Sequence, residues 1–397
     1  MRILIGADQY PEYINGAATF TARLARGLAS RGHVVDLVWP AADGHRRDSF
    51  DAGLRTHRLS SVRLPSKPAI YACPPWSAAR EVDSLMAPAR PDIVHVQSHF
   101  AVGRSLIRSA KAAGVPVLAT NHFMPENVLP HVPLLRHAPA VAARAAWRDL
   151  ARVYRQVDAV TVPTQRAVQL LAAATDLPPA QAISCGIDLE RFHPGPTPSP
   201  HVPTLLFVGR LEKEKHVDEL LHALSRIAPE TSVRLDIVGT GGLRSNLESL
   251  SRRLGLQDRV SFHGAVSDDD LVQAYRRADV FVMPGTAELQ SLATLEAMAA
   301  ARPIVAADAM ALPHLVTTGE NGYLYRPADV AGLSLALTRL LDDLPLRRAM
   351  GERSLHKARQ HSLDATVTAF EDCYRQLIEP FGETSTNTEG RTLLLAS

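Results

Sequence analysis

Residues 194–215 read PGPTPSPHVPTLLFVGRLEKEK, and this stretch divides the chain and indicates its fold class. Its proline-rich part, residues 194–203, cannot continue a helix and suits an extended connector. The apolar run of residues 204–208 has the length of a buried strand, and it ends at Gly209 directly before a cluster of charges. We therefore predict a domain boundary at the connector and the first strand of a second sheet immediately after it.

Short apolar runs separated by longer helix-like segments recur on both sides of the connector. This alternation is typical of parallel sheets with crossover helices, so the predicted class is α/β. The strand-length runs are residues 2–6, 34–38, 92–96, 115–119 and 159–162 before the connector, and 204–208, 234–238, 259–262, 279–283 and 303–306 after it. We expect two Rossmann-like, doubly wound domains that face a central cleft, with ligands at the strand ends that line it.

The length of the chain agrees with two domains, because 397 residues are enough for two ordinary cores. We predict one domain over residues 1–195 and a second over residues 200–363. The end of the chain, residues 382–397, is polar and is predicted to be disordered.

Composition excludes several classes of protein. Lys and Arg total 43 and Asp and Glu total 41, so no overall field would gather nucleic acid. The three cysteines, an odd number without metal-ligand spacing, are typical of a reduced, cytoplasmic protein. Met1 leads directly into a strand-like run without the segments of a signal peptide. No stretch approaches the roughly 20 apolar residues of a membrane span. We therefore expect a cytoplasmic protein that has no nucleic-acid partner.

The first chemical motif follows Gly209, where Arg210 and Lys215 lie at the ligand-facing end of a predicted strand. Arg offers paired donors and Lys a point charge, each worth roughly 1.5 to 3 kcal/mol to an anionic oxygen. The segment is therefore interpreted as a clamp for a diphosphate. The alternative is a solvated charged loop with incidental ion pairs.

The second motif, residues 284–299, reads PGTAELQSLATLEAMA and combines a strand end, a Pro-Gly turn and a helix start. Backbone N–H groups at residues 289–292 would be free to receive phosphate there. Glu288 and Glu296 are eight residues apart, so they lie near one face of the helix, about 12 Å from each other. That separation suits the two ends of a nucleotide sugar better than a paired general acid and base. The alternative is an ordinary helix with one acid near its positive end and one acid in solvent.

These motifs are the marks of a known enzyme family, G-R-x-x-x-E-K and E-x7-E. The chain resembles, over nearly its full length, the family-four retaining glycosyltransferases of the GT-B fold (group 1 glycosyltransferases), in particular those of actinobacteria. Supporting matches are Asn15-Gly16, Gly32-His33, Ser184-Cys185-Gly186-Ile187-Asp188 and Gly319-Glu320-Asn321-Gly322.

The resemblance implies a set of site residues. Arg210 and Lys215 would bind the donor diphosphate, Glu296 the ribose hydroxyls, and Glu288 hydroxyls of the transferred sugar. His122, after the strand that ends in Thr120, would also reach the sugar. The implied donor-binding residues are completed by Gly16 and Gly209, by the amides of Leu289, Gln290, Ser291 and Leu292, and by the backbone at Phe262, His263 and Gly264.

The resemblance also implies the organisation of the reaction. The first domain would bind the acceptor and the second the nucleotide sugar, with a final helix, residues 364–381, crossing back to the first domain. The expected reaction is transfer of a hexose with retention of configuration, by front-face displacement and without a dedicated general base. Among the nucleotides GDP is favoured over UDP. The nucleotide sugar is a co-substrate, and no cofactor or metal is expected, because no histidine cluster has ligand spacing.

One departure from the family pattern lies at the start of the second motif. Many relatives carry E-G-F-G-x there, and this chain has ELQSL at residues 288–292. The larger side chains affect which donor fits, but backbone amides can bind phosphate without those glycines. The glycine-rich residues 239–242 lack the G-x-G-x-x-G spacing and indicate an NAD site only weakly.

Several alternatives stay open at this point. A nucleotide-sugar epimerase or hydrolase, or a non-enzymatic sensor of nucleotide sugars, would share much of the donor site. The acceptor is expected to be small and polar, as in natural-product biosynthesis. A phospholipid or glycolipid at a membrane surface is the other candidate, because arginines recur at helical spacing as in a helix that rests on anionic lipid. These are Arg144, Arg148, Arg152 and Arg155.

Overall fold

The computed structural model describes residues 1–9, 16–51, 53–64, 67–125, 139–195, 202–228 and 231–379. Asn15 of the first supporting motif and the polar tail at residues 382–397 lie outside these ranges. The same is true of residues 380 and 381, the end of the predicted final helix.

The strands form two separate parallel sheets and one hairpin. In chain order they are β1 (Arg2–Gly6), β2 (Val34–Pro40), β3 (Arg47–Asp51), β4 (Leu54–Leu59), β5 (Val62–Leu64), β6 (Lys67–Ala72), β7 (Ile93–Val96), β8 (Val117–Thr120), β9 (Ala159–Val162), β10 (Gln181–Ala182), β11 (Thr204–Val208), β12 (Arg234–Val238), β13 (Val260–Gly264), β14 (Val280–Met283), β15 (Ile304–Ala307) and β16 (Gly322–Tyr325). All ten strand-length runs of the sequence are strands in the structure.

The helices connect these strands. In chain order they are α1 (Gly16–Ser30), α2 (Pro75–Ala89), α3 (Ala101–Ala112), α4 (Pro139–Tyr154), α5 (Gln165–Ala174), α6 (Val217–Ser225), α7 (Arg244–Arg253), α8 (Asp268–Arg277), α9 (Leu292–Ala299), α10 (Leu312–Leu315), α11 (Val330–Asp342), α12 (Leu344–Arg359) and α13 (Leu363–Ile378). Local sequence explains many of their ends. In α8, for example, Ser267 caps the first turn, acidic residues follow it, and arginines occupy the last turn, in agreement with the helix dipole.

The first sheet has the order β10-β9-β8-β7-β1-β2-β4-β3, and the second has the order β13-β12-β11-β14-β15-β16. Neighbours in both are parallel except β3, which pairs with β4 in the antiparallel sense. Strand order reverses between β1 and β7 in the first sheet and between β11 and β14 in the second. Ligands of doubly wound sheets bind outside the strand ends at such reversals. The fold is therefore α/β with two Rossmann-like domains, as the sequence predicted.

Each sheet carries its own core. The central strands of the second sheet, β11, β14 and β15, are mostly buried, as expected for parallel strands covered by helices, and the sheet forms one apolar cluster with its helices. The first sheet has a separate apolar cluster on each of its faces. The final helix, α13, contributes Phe370 and Tyr374 to one of these clusters and packs against α1. The last described helix of the chain therefore lies on the first domain.

Four histidines, two of them buried and two partly buried, make the stability of this fold dependent on pH. Burial lowers the pKa of one of them to about 3 and of the other three to about 4. They are His95, followed by His99, His122 and His361. Because each folded-state pKa lies below the unfolded value of about 6.5, the unfolded chain binds more protons below pH 6.5. The free energy of unfolding should therefore fall as the pH falls from about 6.5 towards 4.

Replacing His99 by Phe tests this expectation, because its ring packs among other aromatic rings and its Nδ1 has no partner. In urea unfolding, the loss of stability between pH 7.5 and pH 5 should shrink by about 2 kcal/mol in His99→Phe. The exposed His45 serves as the control, since His45→Gln should keep the wild-type dependence. An unchanged loss in His99→Phe would contradict a neutral, buried imidazole at this position.

Candidate active site

Two loops meet where the strand order of the second sheet reverses. One follows β11 and contains Arg210 and Lys215, and the other follows β14 and contains Glu288. The Thr286 amide donates to the Glu214 carbonyl at 3.0 Å, and the Thr286 hydroxyl lies 3.0 Å from Nε2 of His216. The backbone therefore places both chemical motifs of the sequence side by side.

The side chains of these loops form two ion pairs. Lys215 Nζ pairs with Glu288 Oε1, and the two side chains are only 14% and 11% exposed. Arg210 Nη2 contacts Glu214 Oε1 at 2.7 Å. An ammonium group has three donors and a guanidinium has five, so each cation keeps donors beyond the one engaged here. Both remain able to bind a further anion at the loop surface.

Glycines allow the first loop to pack against its neighbour. Gly239 has φ +133°, and a Cβ built on it would lie 1.9 Å from the Gly209 carbonyl oxygen. A Cβ on Gly241 would similarly approach the backbone of Leu211 to 2.4 Å. Substitutions at these positions would push the loop of Arg210 out of place. The glycine-rich residues 239–242 therefore serve close backbone packing.

The second motif presents free amides at a helix start. Ser291 caps α9 by accepting a hydrogen bond from the Thr294 amide. Among the described residues, none accepts a hydrogen bond from the backbone N–H groups of residues 289–292. Gly16, the first residue of α1, lies close to this turn, since a Cβ on it would be 3.7 Å from Cδ1 of Leu292. The first turns of α1 and α9 therefore lie close together, and helix N-termini carry a partial positive charge.

The departure from the family pattern has a structural counterpart. Leu289 packs against the core of the first domain, and its carbonyl accepts a hydrogen bond from the Thr164 hydroxyl at 2.9 Å. Gln290 accepts from the Cys185 amide at 2.7 Å and donates to the Ser184 hydroxyl at 2.9 Å. Residues 289 and 290 thus connect the loop after β14 to the first domain. Glycine would remove the packing of the side chain at position 289 and both hydrogen bonds of the side chain at position 290.

Glu296 is already engaged on both carboxylate oxygens. Oε1 accepts a hydrogen bond from Arg23 Nη2 of α1 at 2.8 Å, and Oε2 accepts from the Tyr275 hydroxyl at 2.9 Å. Burial first, and the adjacent Glu296 carboxylate second, raise the pKa of Tyr275 well above its usual value, so this hydroxyl stays a donor. Each oxygen keeps a second lone pair, which is what two ribose hydroxyls would need. Arg23 also lies over the ring of Phe192, at 5.6 Å from its centroid.

His122 lies just after β8, at the strand ends of the first domain. Its Nε2 is 3.0 Å from Gln97 Oε1, and its ring packs at 5.1 Å from that of Phe20. Burial lowers the pKa of His122 to about 4, so the imidazole is neutral at physiological pH. Its Nδ1 makes no hydrogen bond within the described part of the chain.

The predicted base-contacting residues are strand residues of β13. The Phe262 side chain packs partly against the core of the second domain, and its carbonyl accepts a hydrogen bond from Arg244 Nη2 at 3.0 Å. The His263 imidazole is 3.0 Å from Asp236 Oδ1 on the neighbouring strand. Gly264 ends the strand with φ +72°. β13 is an edge strand of the second sheet, so among the described residues no strand pairs with the backbone groups on its outer side.

Sequence reasoning missed the partners that come from distant parts of the chain. These are Arg23 and Tyr275 beside Glu296, Thr164 beside Leu289, and Gln97 beside His122. Each is an ordinary residue of a helix or strand end, and nothing in its local pattern distinguishes it. For Gln97 a signal was available, because it follows a predicted strand just as His122 does.

Several other predictions concern groups outside the cleft. No set of three or more His, Cys, Asp or Glu side chains converges as in a metal site among the residues that the structure describes. None of the helices described is both long and apolar enough to cross a membrane. The arginines of α4 point away from the core, whereas Leu150 and Tyr154 of the same helix are buried in it. Arg155 pairs with Asp176.

The chain is similar to known proteins in both sequence and structure. Residues 14–191 match the family model described as Glycosyltransferase Family 4, and residues 190–357 match Glycosyl transferases group 1. A GDP-mannose-dependent alpha-mannosyltransferase of Mycobacterium tuberculosis is 28% identical over 82% of this chain and 83% of its own length. An alpha-monoglucosyldiacylglycerol synthase of Streptococcus pneumoniae is 26% identical over 84% of this chain and 78% of its own length.

Among solved structures, a sucrose-phosphate synthase from Thermosynechococcus elongatus superposes with a TM-score of 0.81. The match covers 95% of this chain and 99% of that one, at 23% sequence identity. At that level of identity the likeness concerns the fold, which is the same arrangement of two Rossmann-like domains.

Proposed function

Since the chain belongs to the family-four glycosyltransferases of the GT-B fold, the group 1 glycosyltransferases, we propose that it transfers a hexose from a nucleoside-diphosphate sugar to a small polar acceptor. GDP is the favoured nucleotide over UDP, in line with the mannosyltransferase relative whose name specifies GDP-mannose. The expected location of this protein in the cytoplasm stays a prediction.

One observation carries the proposal. The four free amides at residues 289–292 directly follow Glu288, whose carboxylate pairs with Lys215, and Arg210 lies in the same loop as Lys215. Helix N-termini and cations together form an anion site, and a diphosphate has the charge and length to use both. Glu288 contacts Lys215, so a sugar attached to that diphosphate would meet the Glu288 carboxylate. Glu296 lies farther along α9, where we place the ribose.

The proposed chemistry follows from this arrangement. The bond between the anomeric carbon and the diphosphate oxygen breaks, and its electron pair stays on the diphosphate. The acceptor oxygen forms its bond on the same face, and its proton passes to the departing diphosphate, so no separate general base is required. Lys215, Arg210 and the helix amides stabilise the negative charge as it develops, which is where preorganised donors contribute most to catalysis. Configuration at the anomeric carbon would be retained.

Turnover should persist in excess EDTA, because side chains and amides supply the positive charge that a divalent cation would otherwise provide. The check is a rate measurement with and without a large molar excess of EDTA over total divalent cation. Recovery of a lost rate on addition of Mg²⁺ or Mn²⁺ would overturn metal independence.

An acceptor in a membrane is the second candidate. The exposed arginines of α4 favour it, as does the relative that is named a monoglucosyldiacylglycerol synthase. Arg155 is paired with Asp176, and Arg104 and Arg108 on the adjacent α3 are also paired with carboxylates. These pairs reduce the net positive charge of the surface, so we retain the small polar acceptor as the first candidate.

The test is an acceptor screen with GDP-mannose and UDP-glucose as donors. Aminocyclitols, sugars, thiols and diacylglycerol vesicles serve as acceptors, products are detected by mass, and anomeric configuration is read by NMR. A glycosylated product with the donor's configuration supports the proposal. Release of free sugar or an epimerised donor in the absence of any acceptor would identify a hydrolase or an epimerase instead. Nucleotide binding without turnover on any acceptor would favour a sensor.

A further inference from the structure

Behind His122, a row of buried polar side chains runs through the first sheet to the final helix. Gln97 follows β7 and contacts His122 Nε2 through its Oε1 at 3.0 Å. His95, on β7, lies next to Gln97 and is completely buried. The row ends at Tyr374 of α13, whose hydroxyl is 2.7 Å from His95 Nδ1.

Both ring nitrogens of His95 have hydrogen-bond partners. Nδ1 contacts the Tyr374 hydroxyl, and Nε2 is 2.6 Å from the Thr120 hydroxyl, which is in turn 2.7 Å from the Thr161 hydroxyl. Hydroxyl groups donate or accept as needed, so a neutral imidazole is satisfied on both nitrogens. Burial, and next the neighbouring His122, lower the pKa of His95 to about 3, so it stays neutral.

The amide of Gln97 rests on the face of this ring. Its Nε2 is 3.0 Å from one ring nitrogen of His95 and 3.3 Å from the other. Such nearly equal distances place the amide above the ring rather than in its plane. The face of a π-system attracts N–H groups and repels a carbonyl oxygen. The –NH₂ group of Gln97 therefore faces His95, and its carbonyl oxygen faces His122.

We propose that Gln97, oriented by His95 and through it by Tyr374 of the final helix, is the positioning residue that holds His122 as its Nε2–H tautomer. An amide oxygen can only accept, so His122 must donate from Nε2 to Gln97. The lone pair then lies on Nδ1, the nitrogen without a partner in the described residues. In this tautomer His122 can accept a hydrogen bond from a hydroxyl but cannot donate one from Nδ1.

This inference rests on the proposed function and deepens it. A sugar hydroxyl at His122 would act as donor to Nδ1, so the site would favour a donor sugar with a hydroxyl there over its deoxy or O-methyl analogue. It also gives the returning helix a part in the reaction, since Tyr374 fixes the ring on which Gln97 rests. Protonation of His122 would remove the lone pair on Nδ1, so the imidazole could no longer accept a hydrogen bond from the sugar hydroxyl.

The groups that surround His122 in the described part of the chain carry no charge that would shift its pKa. The element packed against its ring is α1, which presents Phe20. The titratable group facing it from β7 is His95, which is neutral. Burial alone accounts for the lowered pKa of His122. Turnover of the wild-type enzyme should therefore be insensitive to His122 between pH 6 and 8.

The tautomer can be measured without any substrate. In protein with ¹⁵N-labelled histidine, long-range ¹H–¹⁵N correlation distinguishes Nε2–H from Nδ1–H, and His122→Gln identifies the signal by its loss. We expect the Nε2–H form in wild type and a mixture in Gln97→Met. An Nδ1–H tautomer in wild type, or an unchanged pattern in Gln97→Met, would overturn the proposal. This readout holds whether or not the chain proves to be a glycosyltransferase.

The rate measurement tests how a negative charge next to His122 affects turnover. Gln97→Glu places a carboxylate against Nε2, which should stabilise the imidazolium and raise the pKa of His122. We expect turnover to fall steeply below about pH 7 in this variant and to recover at higher pH, as more His122 returns to the neutral form. The matched control is Gln169→Glu, which adds the same charge at an exposed position of α5 and should leave the profile flat.

The kinetics of Gln97→Met separate positioning from simple loss of structure. Gln97→Met removes the acceptor without adding charge, and we expect kcat to fall about 10- to 100-fold with little change in the donor KM. Circular dichroism verifies that each variant is folded. A flat profile in folded Gln97→Glu, or an unchanged kcat in Gln97→Met, would contradict the positioning role. Inactivity of the wild type on every acceptor would instead count against the proposed function.

Discussion

Replacing Lys215 by Ala is expected to lower kcat by roughly 10²- to 10³-fold, and Arg210→Ala should have an effect of similar size. Each removes a cation from the place where the departing diphosphate gains negative charge. The matched control is Lys213→Ala. Lys213 lies with Lys215 in a short 3₁₀ helix, Lys213–Lys215, and is exposed. Its removal should leave kcat within about twofold of wild type, because surface charges act weakly through water.

The pairing of Lys215 with Glu288 needs a further variant. Lys215→Ala leaves a largely buried carboxylate without its partner, and this can lower stability by itself. The double variant Lys215→Met with Glu288→Gln removes both charges and should regain thermal stability without regaining turnover. If the double variant also recovers turnover, the loss in Lys215→Ala was a folding defect. Near wild-type rates in Arg210→Ala with Lys215→Ala would remove the central assignment.

Replacement of Glu296 and replacement of Glu288 should have different effects on nucleotide binding and turnover. Glu296→Ala should weaken binding of the free nucleoside diphosphate by about 1 to 3 kcal/mol, the size expected when a charged hydrogen-bond partner is lost. Glu288→Ala should leave nucleotide binding nearly unchanged, lower turnover, and reduce discrimination between donor sugars. Calorimetry with GDP, together with steady-state rates on two donor sugars, measures both effects.

Arg23 determines how the Glu296 result is interpreted. Glu296→Ala leaves the Arg23 guanidinium without its carboxylate, whereas Glu296→Gln keeps a side-chain oxygen for Arg23 and removes only the charge. We expect Glu296→Gln to bind GDP more weakly than wild type and more tightly than Glu296→Ala. Equal weakening by Glu288→Ala and Glu296→Ala would show that the two acids do not divide sugar and nucleotide between them.

Much of the fold was predictable because its strands are apolar runs of the right length. Missing from the prediction are the polar strands between residues 47 and 72, the two-residue β10, and β16 at the edge of the second sheet. Residues such as Arg47–Asp51 lie at an edge and have little apolar periodicity, so nothing local distinguishes them from loops. Parallel core strands, by contrast, must be apolar on both faces.

The site could be predicted only as far as its motifs are local. Arg210, Lys215 and Glu288 follow predicted strands, and the structure brings them into one place. Arg23 and Glu296, however, are 273 residues apart in the chain, and their contact depends on the packing of α1 against α9. The glutamine at position 290 appeared only as a departure from a family pattern. Its two hydrogen bonds to residues 184 and 185 depend on how the two domains pack, so the sequence alone does not indicate them.

The central claim is that the loops after β11 and β14 bind a nucleoside diphosphate without a metal ion. Thermal unfolding with GDP, UDP or ADP in excess EDTA tests it most directly. At a hundredfold excess over its dissociation constant, a bound nucleotide should stabilise the wild type by about 2.7 kcal/mol, with GDP effective at the lowest concentration. The double variant Arg210→Ala with Lys215→Ala should lose most of this shift. The account would be contradicted if no nucleotide stabilised the wild type, or if the double variant were stabilised equally.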